Sequence, residues 1–90
     1  MNYDTVKSHI EEAHRILIHS AEDLDLHNLG EYGVCLKRKD WRGALGALEE
    51  CGASATSCEP QFWVEMLAAA KELELPRYTA RFEKWVQQSG

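Results

Sequence analysis

Apolar residues return at steps of three and four along almost the whole chain, and nowhere do they alternate strictly with polar ones. Val6, Ile10, Ala13 and Leu17 form one such series, Leu26, Leu29, Gly33 and Leu36 a second, and Trp41, Leu45 and Leu48 a third. Phe62, Met66, Ala69 and Leu73, flanked by Trp63, Leu67 and Ala70, make a fourth, and Tyr78, Phe82, Trp85 and Val86 a fifth. A helix puts residues so spaced on one face, whereas a half-buried strand needs a period of two. The pattern predicts an all-α fold: a compact bundle of about five short helices built from antiparallel helical hairpins, in one domain over residues 1–90.

The punctuation between these stripes sets the expected boundaries. Helix 1 is expected from about Asp4 to His19, with Asp4 or Thr5 as its cap. Ser20 and Asp23 have the spacing of a capping box, which predicts that helix 2 starts there; a single helix through Leu24, broken at His27–Asn28, is the alternative. Lys37, Arg38 and Lys39 suit the carbonyl end of helix 2, where cations complement the dipole. Asp40 is the expected cap of helix 3, Trp41 to Cys51, and Gly52 the permissive residue just past its end. Gly30, Gly33, Gly43 and Gly46 mark places where another element is expected to approach closely. The polar stretch Ala53–Glu59 reads as a loop, and Pro60 suits the first position of helix 4, whose broad apolar face makes it the expected centre of the bundle. Leu75–Pro76 breaks the chain again before helix 5, which turns Arg77, Arg81 and Lys84 outward.

The net charge of -5 is unevenly spread. Residues 1–36 carry acids against only Lys7 and Arg15, the sign reverses around Lys37–Arg42, and residues 43–70 again hold acids and no bases. Such a surface repels phosphate backbones, so nucleic acid is not an expected ligand, whereas a basic protein partner fits. Glu22, Asp23, Asp25 and Glu31 cluster near the junction of helices 1 and 2 and are candidates for an electrostatic docking surface. Tyr32, Trp41 and Trp63 are candidate anchors, because a domain this small has difficulty burying every large aromatic ring on all sides.

Residues able to carry chemistry do not converge. His9, His14 and His19 recur every five residues and so rotate by about 140° from one to the next, which spirals them around the helix. No His-x-x-x-His pair, nucleophile signature or phosphate loop is present, so neither metal, cofactor nor catalysis is expected. Three cysteines leave one thiol unpaired in any disulfide scheme, which suits a reducing cytoplasm. The sequence has no apolar run of the ~20 residues a membrane span requires and no charged-then-apolar leader at its start, so no membrane association is expected.

Two resemblances carry expectations of function. The segment Leu26-His-Asn-Leu-Gly30 through Lys37-Arg-Lys-Asp-Trp-Arg-Gly-Ala-Leu-Gly-Ala-Leu-Glu49 resembles a tetratricopeptide helical hairpin, with Leu29, Gly30, Ala44 and Leu48 at matching places and Leu26 where the repeat has tryptophan. It implies a helical adaptor or self-assembling module. The segment Asn28-Leu-Gly-Glu-Tyr-Gly-Val34, the Ala-Leu helix after it and Lys71-Glu-Leu-Glu-Leu75 are similar to small Maf-type immunity proteins of bacterial polymorphic-toxin systems, over roughly residues 24–75. That resemblance implies an inhibitor that covers a basic toxin domain with an acidic helical surface; whether the chain is a monomer or a homodimer is left open by the sequence.

Overall fold

Every stripe becomes a helix, and most helices begin where the chain supplies an acceptor for their first amides. The computed structural model describes residues 2–89, and over these the order is α1 (Tyr3–Ser20), α2 (Leu26–Lys37), α3 (Trp41–Ser54), α4 (Gln61–Glu72) and α5 (Pro76–Ser89). α1 is capped by Asn2, whose side-chain oxygen accepts from the amides of Asp4 (3.0 Å) and Thr5 (3.2 Å). The expected caps Asp4 and Thr5 are therefore the residues being capped. α3 starts as expected, with Asp40 Oδ1 accepting from Gly43 N–H at 2.9 Å.

The start of α2 lies five residues beyond the predicted one. Ser20 ends α1, donating its hydroxyl to the Ile16 carbonyl (2.7 Å) and accepting the Glu59 amide (3.1 Å), so its oxygen is not free to cap a new helix. Asp25 takes that role: its carboxylate accepts the Asn28 amide at 3.1 Å and the Asn28 side chain at 2.7 Å. α1 and α2 are thus separate helices, with the break at residues 21–25.

α3 also outruns its expected end, and Gly52 lies inside it. A Cβ at Gly52 would penetrate the Phe62 ring and come within 3.0 Å of Trp63 Cζ2, so this glycine serves the close approach of α4. Gly30 and Gly33 behave oppositely to expectation, for a Cβ at either would meet nothing within 4 Å. A Cβ at Gly43 would crowd Asp40 and Cys35, and one at Gly46 would touch the Tyr78 hydroxyl at 3.0 Å.

The α2–α3 and α4–α5 connections are built alike. In each, a left-handed residue follows the helix, Lys39 at φ 59 and Glu74 at φ 56. Asp40 N–H bonds to the Cys35 carbonyl (2.8 Å) and Lys39 N–H to Leu36 (3.1 Å); Leu75 N–H to Ala70 and Glu74 N–H to Lys71 (both 3.1 Å) repeat the pattern. These are Schellman turns in which a lysine and a glutamate stand where glycine is usual. Every boundary of α4 and α5 is displaced by 35 residues from the matching boundary of α2 and α3, so the two hairpins are equal in length as well as in turn.

The two hairpins meet through α3, where Gly52 lies against Phe62 of α4 and Glu49 pairs with Arg81 of α5. α1 packs chiefly on α4 and also on α3, while α2 flanks α3 and α5 flanks α4. The resulting slab is 18 Å thick in its shortest dimension, room for two helix layers. Its centre is filled by Phe62, Phe82, Ile10, Leu17, Leu45, Leu48 and Met66, all fully buried. At about 1.5–3 kcal/mol for each such side chain, their burial dominates what holds the helices together. Helix 4 is central as its broad face predicts: Phe62, Trp63, Met66, Ala69 and Ala70 are all buried along it.

Candidate functional site

Because the helices alternate in direction, connections alternate between two ends of the slab, and charge follows them. At one end the α1–α2 linker meets the α3–α4 loop: Glu22 N–H donates to the Thr56 carbonyl (2.9 Å), Thr56 Oγ1 donates to Asp23 Oδ2 (2.9 Å), and Glu59 N–H donates to Ser20 Oγ. The carboxylates of Glu22, Asp23, Asp25, Glu50 and Glu59 belong to these two connections and their flanking turns, and neither connection contains Lys or Arg. The Asn28 side chain and amide hold the Asp25 carboxyl below the usual carboxylate range, so it stays charged into acid. The hydrogen bonds between the loops fix the backbone that carries these charges, which limits the ordering a partner would have to impose.

The opposite end is basic. It carries Lys37, Arg38, Lys39 and Arg42 around the α2–α3 turn, and Lys71 and Arg77 around the α4–α5 turn, against Asp40, Glu72 and Glu74 in the same turns. The start of α1 belongs here too, for the Asn2 amide donates to Glu72 Oε1 at 3.1 Å. Between α1 and α2 this end opens into a groove of about 840 Å³. Tyr3, Asp4, Lys7 and Glu11 form its α1 wall, Gly33, Leu36 and Lys37 its α2 wall, and Lys39 and Trp41 close it. Gly33 widens it, having no side chain to fill the space.

The residues singled out in the sequence divide between these places. Glu22, Asp23 and Asp25 come together at the acidic end; Glu31 lies exposed on α2, beyond the linker. Trp41 is half-buried in the groove at the basic end, apart from the acids. Trp63 and Tyr32 are core residues, 3% and 4% exposed, and offer no ring to a partner on this surface. Trp63 stacks on Trp85 (centroids 4.6 Å apart) and meets Phe62 edge-on, while Tyr32 stacks on His14 at 4.6 Å. Helix 4 sits between α1 and α5, which gives a large ring there neighbours on both sides. Glu50 and Glu59 are not marked by the sequence pattern; their acidity beside a loop without bases is the available signal, but their meeting with residues 22–25 depends on tertiary structure.

The histidines face different neighbours: His9 Nδ1 lies 2.7 Å from Glu65 Oε1 on α4, and His14 lies against Tyr32 on α2. Burial lowers the pKa of His14 and, with the nearby Glu11 charge, pushes that of the Tyr32 phenol up to about 12. All three cysteines are free, and burial beside Asp25 raises the Cys51 thiol to about 11. Among the described residues, no three His, Cys, Asp or Glu side chains are grouped to hold a metal ion, and no helix is long and apolar enough to cross a membrane. Compared with protein-family models, curated proteins and solved structures, the chain matches none.

Proposed function

We propose that the protein acts by contact, as an immunity-type antagonist that neutralises a bacterial toxin in the cytoplasm by laying its acidic end over the toxin's basic surface. The observation that carries this reading is the junction of two acidic loops, hydrogen-bonded to each other through Glu22, Asp23 and Thr56. A fixed patch dominated by one sign, as this one is although the Arg15 charge reaches Glu59, raises the rate of encounter with the opposite sign and repels wrong partners. Its test mixes the purified chain with the toxin encoded beside its gene and follows binding and protection. A Glu22→Lys, Asp23→Lys, Glu59→Lys variant should associate about tenfold or more slowly at low salt, and the difference should shrink as salt rises. Absence of binding, or a triple variant that binds as fast as the parent, refutes the reading.

A second reading, a tetratricopeptide-like adaptor or self-assembling module, is favoured by the α1–α2 groove and by the repeated hairpin. Light scattering separates the two: a stable homodimer supports self-assembly, and a monomer at all concentrations supports one-to-one antagonism.

A further inference from the structure

We propose that the hollow between the first turns of α3 and α5 binds a small organic phosphate, held as its dianion. Arg42, Arg77 and Arg81 all line this hollow of about 390 Å³, together with Tyr78, Leu75 and Pro76. Arg81 is already neutralised: its Nε lies 2.6 Å and its Nη2 2.9 Å from the two Glu49 carboxylate oxygens, and its guanidinium stands over the Tyr78 ring. Arg42 and Arg77 have no carboxylate within 4.0 Å among the described residues. They occupy equivalent positions, each the second residue of a 14-residue helix that follows a Schellman turn. Both line the one hollow without a carboxylate of their own, so an anion seated there would be attracted by each.

The backbone adds to the same polarity. Pro76 has no N–H, and neither the Arg77 nor the Tyr78 amide finds an acceptor on the described chain. No acid stands in the first turn of α5. Free amides at a helix start favour negative charge. Two unmatched positive charges and several donors suit a phosphate monoester, with close to two negative charges and three accepting oxygens, better than a monocarboxylate. Leu75 and Pro76 supply an apolar wall for the organic part. The net charge of -5 and the acidic far end oppose a long polyanion, which restricts the ligand to a small molecule.

Titration of the intact ¹⁵N-labelled chain with phenyl phosphate, inorganic phosphate and benzoate tests this. Phenyl phosphate should shift the Arg77 and Tyr78 amides saturably, inorganic phosphate should shift the same amides, and benzoate should bind about tenfold more weakly or worse. An Arg42→Gln, Arg77→Gln variant, altered only at exposed positions, should keep the parent spectrum elsewhere and lose about tenfold or more in affinity for phenyl phosphate. Shifts that fail to saturate, shifts spread equally over Lys37–Lys39, benzoate binding as tight as phenyl phosphate, or a double variant that binds like the parent would each overturn the assignment.

Discussion

Replacing Gly52 by alanine should destabilise the protein, although alanine is the better helix former. At Gly52 the added methyl would press into the ring of fully buried Phe62, 2.9 Å from Cζ, and would lie 3.0 Å from Trp63 Cζ2. Both rings are wedged in the core, Trp63 against Trp85 and Phe82 as well, so α3 and α4 must separate to admit the group. Overpacking of this kind costs about 1–3 kcal/mol, and the gain in helix propensity returns only ~1 kcal/mol. The difference spans about 0–2 kcal/mol. Because the obstacle at under 3 Å is a core-locked ring and not a flexible chain end, the loss should fall in the upper half of that span. It should be about 1–2 kcal/mol, or roughly 4 °C or more in Tm for a domain of this size. The same substitution at Gly30 or Gly33, where a Cβ meets nothing within 4 Å, keeps the propensity gain alone. It should stabilise by about 0.5–1 kcal/mol. Thermal and urea unfolding followed by circular dichroism at 222 nm compares the three variants. A Gly52→Ala protein as stable as the parent, or glycines that all move Tm the same way, would refute the packing argument.

Lys39→Gly and Glu74→Gly should each stabilise by about 0.5–1 kcal/mol, because glycine removes the cost of φ 59 and φ 56 from the two turns; urea midpoints that fall in both variants would count against the Schellman geometry. Stability should decline as pH drops through 6.5, since burial disfavours the charged His14 ring in the native state and the unfolded chain takes up that proton first. A His14→Gln variant should show a flatter acid slope, and an unchanged slope refutes the assignment. At the alkaline side the unfolded Tyr32 phenol ionises near 10 and the native one only near about 12, so stability is lost across that window and Tyr32→Phe should remove the loss. Of the three thiols, Cys51 is fully buried and Cys35 and Cys58 only half-buried, so a thiol reagent should modify Cys51 last and only as the protein unfolds; mass spectrometry reads the order.

The all-helical architecture was legible because five apolar stripes each cover enough turns to define a face, and Asp40 and Pro76 mark two starts without ambiguity. Boundaries failed where one residue type can serve two purposes. Gly52 stands where a C-terminal glycine would stand, and only the position of Phe62 reveals that it is there for clearance. Ser20 has the spacing of a cap, yet its oxygen is engaged by Ile16 and by Glu59, far away in sequence. The duplicated hairpin was hidden because the two copies bury different faces and share few residue types, Arg42 with Arg77 being one. The acidic end was half visible: Glu22, Asp23 and Asp25 share one linker, whereas Glu59 joins them only through the pairing of two loops 33 residues apart at Asp23 and Thr56.

That pairing also determines how the molecule presents its charge. α1, α3 and α5 run toward the acidic end and α2 and α4 run back, so one helix dipole remains uncompensated, with its negative side toward the acidic end. Blocks of charge that alternate along the sequence are thereby sorted by the up-and-down path into two poles, and the backbone reinforces both. A basic protein approaching such an object is turned toward the acidic end and repelled from Lys37–Arg42, so encounter selects one orientation before any contact forms. The same sorting leaves the basic pole, with its groove and its paired arginines, free while the acidic pole is occupied. Binding at the two ends should therefore be compatible in one complex, and loss of phenyl phosphate binding when a basic partner is bound would show that the poles are not independent.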